Sequence, residues 1–191
     1  MRGKIAFIGT HGVGKTVLTF ELASYLRKRS VDADVAYENS RRCPFPINEG
    51  TTLEAQMWIL ANQWKEELEA SRRSHLVICD RSVLDNYAYM VLASGRQEYL
   101  QPLLARWIET YDILVQVPII DRRIVADGTR TTAREFQMRI DRMVRDLVVE
   151  FGCGEKTIEL PLDRDRHLAV LACCLQERGF LRAPQPVTSG Q

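Results

Sequence analysis

Short, wholly apolar runs alternate along this chain with longer stretches in which apolar residues return every three or four positions. The runs are strand-sized, whereas the three-to-four spacing is that of one helix face. Residues 4–8 (K-I-A-F-I) predict a buried strand, and residues 17–29 (V-L-T-F-E-L-A-S-Y-L-R-K-R) a helix behind it. Residues 34–37 (D-V-A-Y) predict a short second strand, after which Cys43-Pro44-Phe45-Pro46 and Gly50 mark a loop within residues 39–52. Leu53, Met57, Leu60, Trp64 and Leu68 share a helical face, so helix is expected to about Ser71. Residues 76–79 (L-V-I-C) predict a third strand that ends at Asp80. Helical spacing follows over residues 83–93 and 99–111, and residues 113–117 (I-L-V-Q-V) predict a fourth strand stopped by Pro118. The stripe Phe136, Ile140, Met143, Leu147 and Phe151 predicts a long helix closed by Gly152 and Gly154. A fifth strand at residues 157–160 and a helix at residues 164–178 complete the pattern.

Strands alternating with helices are the signature of a parallel sheet covered by helices on both faces. At 191 residues the chain is expected to be one domain over residues 1–182, with residues 183–191 (A-P-Q-P-V-T-S-G-Q) a frayed tail. No internal repeat or low-complexity segment interrupts it. Apolar residues make up 46% and charged residues 27%, with 26 basic and 25 acidic side chains for a net charge of +1. That balance argues against nucleic acid or an anionic membrane as partner, and no apolar run is long enough to span a bilayer. The five cysteines show no metal-ligand spacing; unpatterned thiols fit a reduced, cytoplasmic protein. The first strand pattern starts almost at once, so no signal or transit segment is expected.

Residues 9–16 read G-T-H-G-V-G-K-T, a complete G-x-x-x-x-G-K-S/T phosphate-binding loop between a predicted strand and a predicted helix. Gly9, Thr10, His11, Gly12, Val13 and Gly14 would curl so that backbone N–H groups face phosphate oxygens. Lys15 would reach the β- and γ-phosphates, and the Thr16 hydroxyl would ligate Mg²⁺. The helix behind the loop aims its positive end at the same anion. The chain is therefore expected to bind a nucleoside triphosphate.

In a parallel sheet, polar residues at strand carboxyl ends converge on one crevice. The second strand ends at Glu38 and the third at Asp80-Arg81-Ser82. Asp80 is placed to hold Mg²⁺ opposite Thr16, or else to cap the next helix. Arg81 could pair with the transferring phosphoryl group or the acceptor, and Glu38 could accept the proton of an attacking hydroxyl. Residues 119–134 are polar and Arg-rich, a candidate lid; of Arg122, Arg123, Arg130 and Arg134, Arg123 and Arg130 are favoured as phosphate contacts. His11 is expected to act through its backbone, and His75 and His167 to be exposed. Trp58, Trp64 and Trp107 read as core, with Trp58 or Trp64 open as an acceptor wall. Gln63 is a candidate base-edge contact, Asp85 or Tyr87 a candidate acceptor contact, and residues 160–166 a candidate contact for the donor base.

Taken together, G-T-H-G-V-G-K-T, the E-N-S-R after the second strand, D-R-S-V-L-D-N-Y-A-Y after the third and D-G-T-R before the late helix resemble the P-loop kinases of small molecules. The resemblance is closest to an AAA-labelled group related to nicotinamide riboside kinases and deoxynucleoside kinases, and covers about residues 3–151. It implies a three-layer fold with a five-stranded parallel sheet in the order 2-3-1-4-5. In deoxynucleoside kinases a Glu ending the second strand acts as base and an acidic-Arg-Ser triplet follows the third; Glu38 and Asp80-Arg81-Ser82 look like these elements. Asn39 stands where a Pro often follows that Glu. Thymidylate-kinase-like enzymes share the D-R start.

The expected function is ATP- and Mg²⁺-dependent phosphoryl transfer to a hydroxyl of a nucleoside-like small molecule. Two alternatives stay open: a nucleoside monophosphate kinase, with Arg41, Arg42 or Arg81 gripping the acceptor phosphate, and a nucleotide-dependent switch. A homodimer is also left open. No N-K-x-D guanine motif follows an apolar strand.

Overall fold

The computed structural model of the protein describes residues 2–120 and 134–181. Five strands, β1 (Gly3–Ile8), β2 (Ala33–Ala36), β3 (Leu76–Asp80), β4 (Ile113–Gln116) and β5 (Thr157–Glu159), form one sheet in the order β2-β3-β1-β4-β5. Every pairing is parallel: Gly3 lies beside Leu76 and Phe7 beside Asp80, while Ile5 on its other edge lies beside Ile113. The same register runs outward through Ala33 beside Leu76 and Val115 beside Ile158. This is the strand order that the resemblance implied, and all carboxyl ends open on one edge.

Among the described residues six helices cover the sheet: α1 (Lys15–Arg27), α2 (Leu53–Arg73), α3 (Val83–Ser94), α4 (Gln101–Ile108), α5 (Arg134–Glu150) and α6 (His167–Glu177). Strand side chains alternate between faces, so the continuous apolar runs divide into two cores. Ala6, Ile8, Val77, Cys79 and Leu114 pack under α2, α3, α4 and α5 with Leu60, Leu84, Leu104, Ile140 and Leu147. Ile5, Phe7, Ile78, Ile113 and Val115 pack under α1 and α6 with Leu18, Leu22, Leu26 and Leu171. Leu22 is fully buried; its truncation to Ala is worth roughly 2–5 kcal/mol.

Most predicted boundaries shift by one to three residues. Residues 99–111 are trimmed most: helix occupies only Gln101–Ile108, after a 3-10 turn at Glu98–Leu100. Pro102 in the first turn of α4 explains the late start, since its fixed φ suits a helix beginning. In the same way a 3-10 turn at Arg164–Arg166 precedes α6. The expected lid arginines Arg122, Arg123 and Arg130 lie outside the described residues, as does the tail; Arg134 opens α5.

Candidate active site

The carboxyl end of β1 runs directly into the phosphate loop, and Gly14 caps α1 with φ 94°. A side chain at Gly14 would need that left-handed backbone and would also meet a guanidinium nitrogen of Arg164 at 2.4 Å. At Gly9, with φ 130°, an added Cβ would come within 2.9 Å of the Val117 carbonyl oxygen. Three side chains brace the loop from outside. Gly9 N–H donates to Asp85 Oδ1 at 2.9 Å, Gln137 Nε2 donates to His11 O at 3.0 Å, and Arg164 donates to Val13 O at 2.6 Å.

Lys15 is 5% exposed. Its amine donates to the carbonyls of Gly9 at 2.6 Å and Thr10 at 2.5 Å and lies 4.0 Å from Asp85 Oδ1. The loop thus gathers a cation and its N–H groups at the start of a thirteen-residue helix, the arrangement that suits a chain of phosphates. The His11 ring turns away, sharing a 2.9 Å hydrogen bond between Nδ1 and the Tyr89 hydroxyl and stacking 5.9 Å from Phe136.

Asp80 ends β3 one strand over from the loop and is 4% exposed. Burial raises its pKa, while a hydrogen bond from Thr16 and the charges of Arg81 and Lys15 pull the other way. A carboxylate and a hydroxyl in contact, beside a phosphate-binding loop, match a Mg²⁺ ion that takes its other ligands from phosphate and water. Among the described residues no group of three or more His, Cys, Asp or Glu side chains could hold a metal, so a full protein cage is absent there. Asp80 does not cap α3. Ser82 does, accepting from Leu84 N at 3.1 Å in a capping box completed by Asp85.

Between these two residues the backbone of Arg81 adopts φ 87°. A bulky residue in this region costs about 1–3 kcal/mol and persists only where its surroundings enforce it. The strain directs the guanidinium into the cleft, where Arg81 is 8% exposed. Its Nε lies 3.4 Å from Glu38 Oε1, and its charge sits 5.5 Å above the Tyr89 ring. Burial opposes that charge, but Glu38, Tyr89, Asp85 and Asp80 outweigh it and raise the Arg81 pKa.

Glu38, two residues past β2, faces inward with its side chain 7% exposed. It also accepts a hydrogen bond from Ser40 Oγ. Beyond the Glu38–Arg81 pair opens a small recess lined by Arg81 itself with Ser40, Asn48, Gln56, Asn86 and Tyr89. Asn86 is 2% exposed, and its Nδ2 has no hydrogen-bond partner among the described residues. A buried amide donor in this state invites a ligand acceptor atom.

Lys15, Thr16, Glu38, Asp80 and Arg81 therefore gather on one edge of the sheet. Other expectations are corrected. Gln63 does not face the cleft: it donates to Glu67 Oε1 and to Arg81 O. Asp85 is fully buried beneath the loop, and Tyr87 is core, its hydroxyl accepting from Gln97 N. Trp64 packs on Trp107 at 5.8 Å, away from the cleft, and Trp58 does not line the cleft. His167 is buried, sharing a hydrogen bond with Pro161 O, whereas His75 is exposed beside Asp32. Arg41 and Arg42 form an exposed 3-10 turn beyond Glu38. Arg164 and Gln137, the braces of the loop, carried no signal in the sequence beyond following a strand and opening a helix. Asn86 followed the D-R-S triplet at one helical turn, which was the available hint.

A family model described as an AAA domain matches residues 4–165. The chain belongs to this family. No curated protein matches it. Among solved structures, a NadR protein in complex with NAD and AMP-PNP aligns with a TM-score of 0.72 at 16% identity, over 97% of this chain and 51% of that one. The chain thus spans about half the length of NadR. Deoxyadenosine kinase from M. mycoides with bound dATP aligns at 0.61 and 13% identity, over 92% of this chain and 100% of that one. Thymidylate kinase from Candida albicans aligns at 0.65 and 12% identity, covering 94% and 93%. At such identities the likeness is one of fold, and this AAA domain has the fold of P-loop kinases. No helix of the described residues is long and apolar enough to cross a membrane.

Proposed function

We propose that this AAA domain is a phosphotransferase of the cytoplasm, moving the γ-phosphoryl group of ATP to a hydroxyl of a nucleoside-like small molecule. The observation that carries this reading is the inward-facing Glu38, paired at 3.4 Å with Arg81, which itself lines a recess with Ser40, Asn48 and Asn86. The loop N–H groups and Lys15 bind the donor triphosphate, and Thr16 with Asp80 would hold Mg²⁺. Bound there, the ion would neutralise charge on the β- and γ-phosphate oxygens. Glu38 takes the proton of the acceptor hydroxyl, a role worth about 10²–10⁴-fold in such reactions. Arg81 orients the acceptor and pairs with Glu38 until the hydroxyl arrives. Asn86 Nδ2 donates to a carbonyl or ring nitrogen of the acceptor. Arg123 and Arg130, outside the described residues, supply positive charge to the transferring group.

NadR bound to AMP-PNP and the kinase bound to dATP support the adenine donor and the nucleoside-like acceptor for this chain. A nucleoside monophosphate acceptor is the second reading, supported by the near-complete mutual coverage with thymidylate kinase. The test is ADP release from ATP in the presence of nucleosides, nucleoside monophosphates or nicotinamide riboside. Release that depends on one class identifies the acceptor. Acceptor-independent hydrolysis alone rejects the transferase in favour of a switch.

A further inference from the structure

Glu67 is fully buried on the inner face of α2 and collects four donors. Lys4 Nζ lies at 2.9 Å, Gln63 Nε2 at 2.9 Å, Trp107 Nε1 at 2.7 Å and the Tyr111 hydroxyl at 2.7 Å. Burying a carboxylate in the core is unfavourable unless donors saturate it in this way. Two of its partners reach further, to one short stretch of backbone. Gln63 Nε2 also donates to Arg81 O at 3.2 Å, and the Tyr111 hydroxyl accepts from Val83 N–H at 3.1 Å. Ser82 between them is held by Asp85. The strained turn at Arg81 is thus gripped on both sides by side chains that one carboxylate orients.

We propose that Glu67, through Gln63 and Tyr111, is a positioning residue for Arg81. It holds the turn in the left-handed conformation that sends the guanidinium to Glu38. Glu67 touches neither the cleft nor the phosphate loop, so its effect on the site passes through Arg81. The hub also explains why a charged group is tolerated here: an apolar residue would fill the space but leave Gln63 and Tyr111 unaimed.

Glu67→Gln places a donor among donors and endangers the fold, so Gln63→Met and Tyr111→Phe are the informative variants, each releasing one grip. The direct readout is the Nε–H resonance of Arg81 in the ¹⁵N spectrum of the full chain, assigned with Arg81→Lys. It should be sharp in the parent and shifted or exchange-broadened in both variants, with the melting transition still cooperative. In kinetics, Gln63→Met should lower kcat about ten- to a hundredfold and leave KM for ATP within about twofold. In an Arg81→Ala background the same substitution should have no further effect on kcat. An unmoved Arg81 resonance, or losses from Gln63→Met and Arg81→Ala that multiply, would overturn the proposal. The kinetic arm rests on the phosphotransferase reading. If the parent transfers phosphate to no acceptor, that reading fails, and the resonance still decides the positioning role.

Discussion

The two walls of the cleft are built to different standards. On the donor side, each bend of the phosphate loop is tied down: Asp85 holds Gly9, Gln137 holds His11 and Arg164 holds Val13, and Lys15 folds against the loop carbonyls. On the proposed acceptor side, the wall joins an irregular segment with 3-10 turns at Ser40–Arg42 and Asn48–Gly50 to Asn86 of α3, whose amide donor has no partner among the described residues. A triphosphate has the same shape in every nucleotide, so a stiff, pre-aimed cradle serves it at no cost in generality. An acceptor is chosen by its own pattern of donors and acceptors, and a buried group that lacks a partner until it binds provides that choice. Stability should therefore concentrate on the donor wall and selectivity on the acceptor wall.

The largest effect that would break this contrast lies where the walls meet. Glu38→Gln should slow transfer by about 10²–10⁴-fold while leaving ATP affinity, measured by titration of a fluorescent analogue, nearly unchanged. Equal rates for the two proteins would remove Glu38 from the chemistry. On the donor wall, Asp85→Ala strands the Gly9 and Ser82 donors and deletes half of a capping box. The expected loss is about 2–4 kcal/mol in urea denaturation, together with weaker nucleotide binding. A loss of stability with nucleotide affinity intact would mean that the loop does not need its brace.

Asp80 gives a pH-dependent test. Burial raises its pKa, so the protonated carboxyl is favoured in the fold. Its contribution to stability is full below the ordinary aspartate range and is lost as pH rises through the raised value. The ion-paired Asp34 and Glu159 have lowered values and behave oppositely, losing stability as pH falls. The difference in melting temperature between Asp80→Asn and the parent, without metal, should therefore grow with rising pH above the aspartate range. Added Mg²⁺ with nucleotide should reverse the trend in the parent only. A difference that stays flat with pH would show that Asp80 is not strained by burial.

The smallest expected effect sharpens the acceptor side. Asn86→Ala removes a donor that has no partner among the described residues, so stability should move by under about 1 kcal/mol. The KM for the acceptor should rise several-fold and the KM for ATP should not. A KM for ATP that rises equally would place Asn86 on the wrong wall.

How far the chain could be read without coordinates followed from the range of each interaction. The strands, the loop at residues 9–16 and the helices are local: apolar periodicity and a glycine pattern act between neighbours along the chain. That Lys15, Thr16, Glu38 and Asp80 lie on one edge was legible from the glycine loop and from strand carboxyl ends, which converge in any parallel sheet. The errors concerned side chains whose partners are remote. Gln63 on α2 pointed to a base edge by its place beside Trp64, but its bond to Arg81 O spans eighteen residues. Arg164 meets Val13 across a separation of 151. His167 read as exposed among charged neighbours, and packing against Pro161 O buries it.

A strand-ending carboxylate, a lysine after three glycines and runs of apolar residues left little choice of architecture or of the anion it would cradle, because each of these signals is short-ranged and repeated. Only the folded chain could decide that Asp85 serves the loop, that Arg81 occupies a left-handed turn, and that Glu67 orients the groups gripping it. Those assignments depend on which donor meets which acceptor once burial removes water as an alternative partner, and no local pattern encodes that meeting.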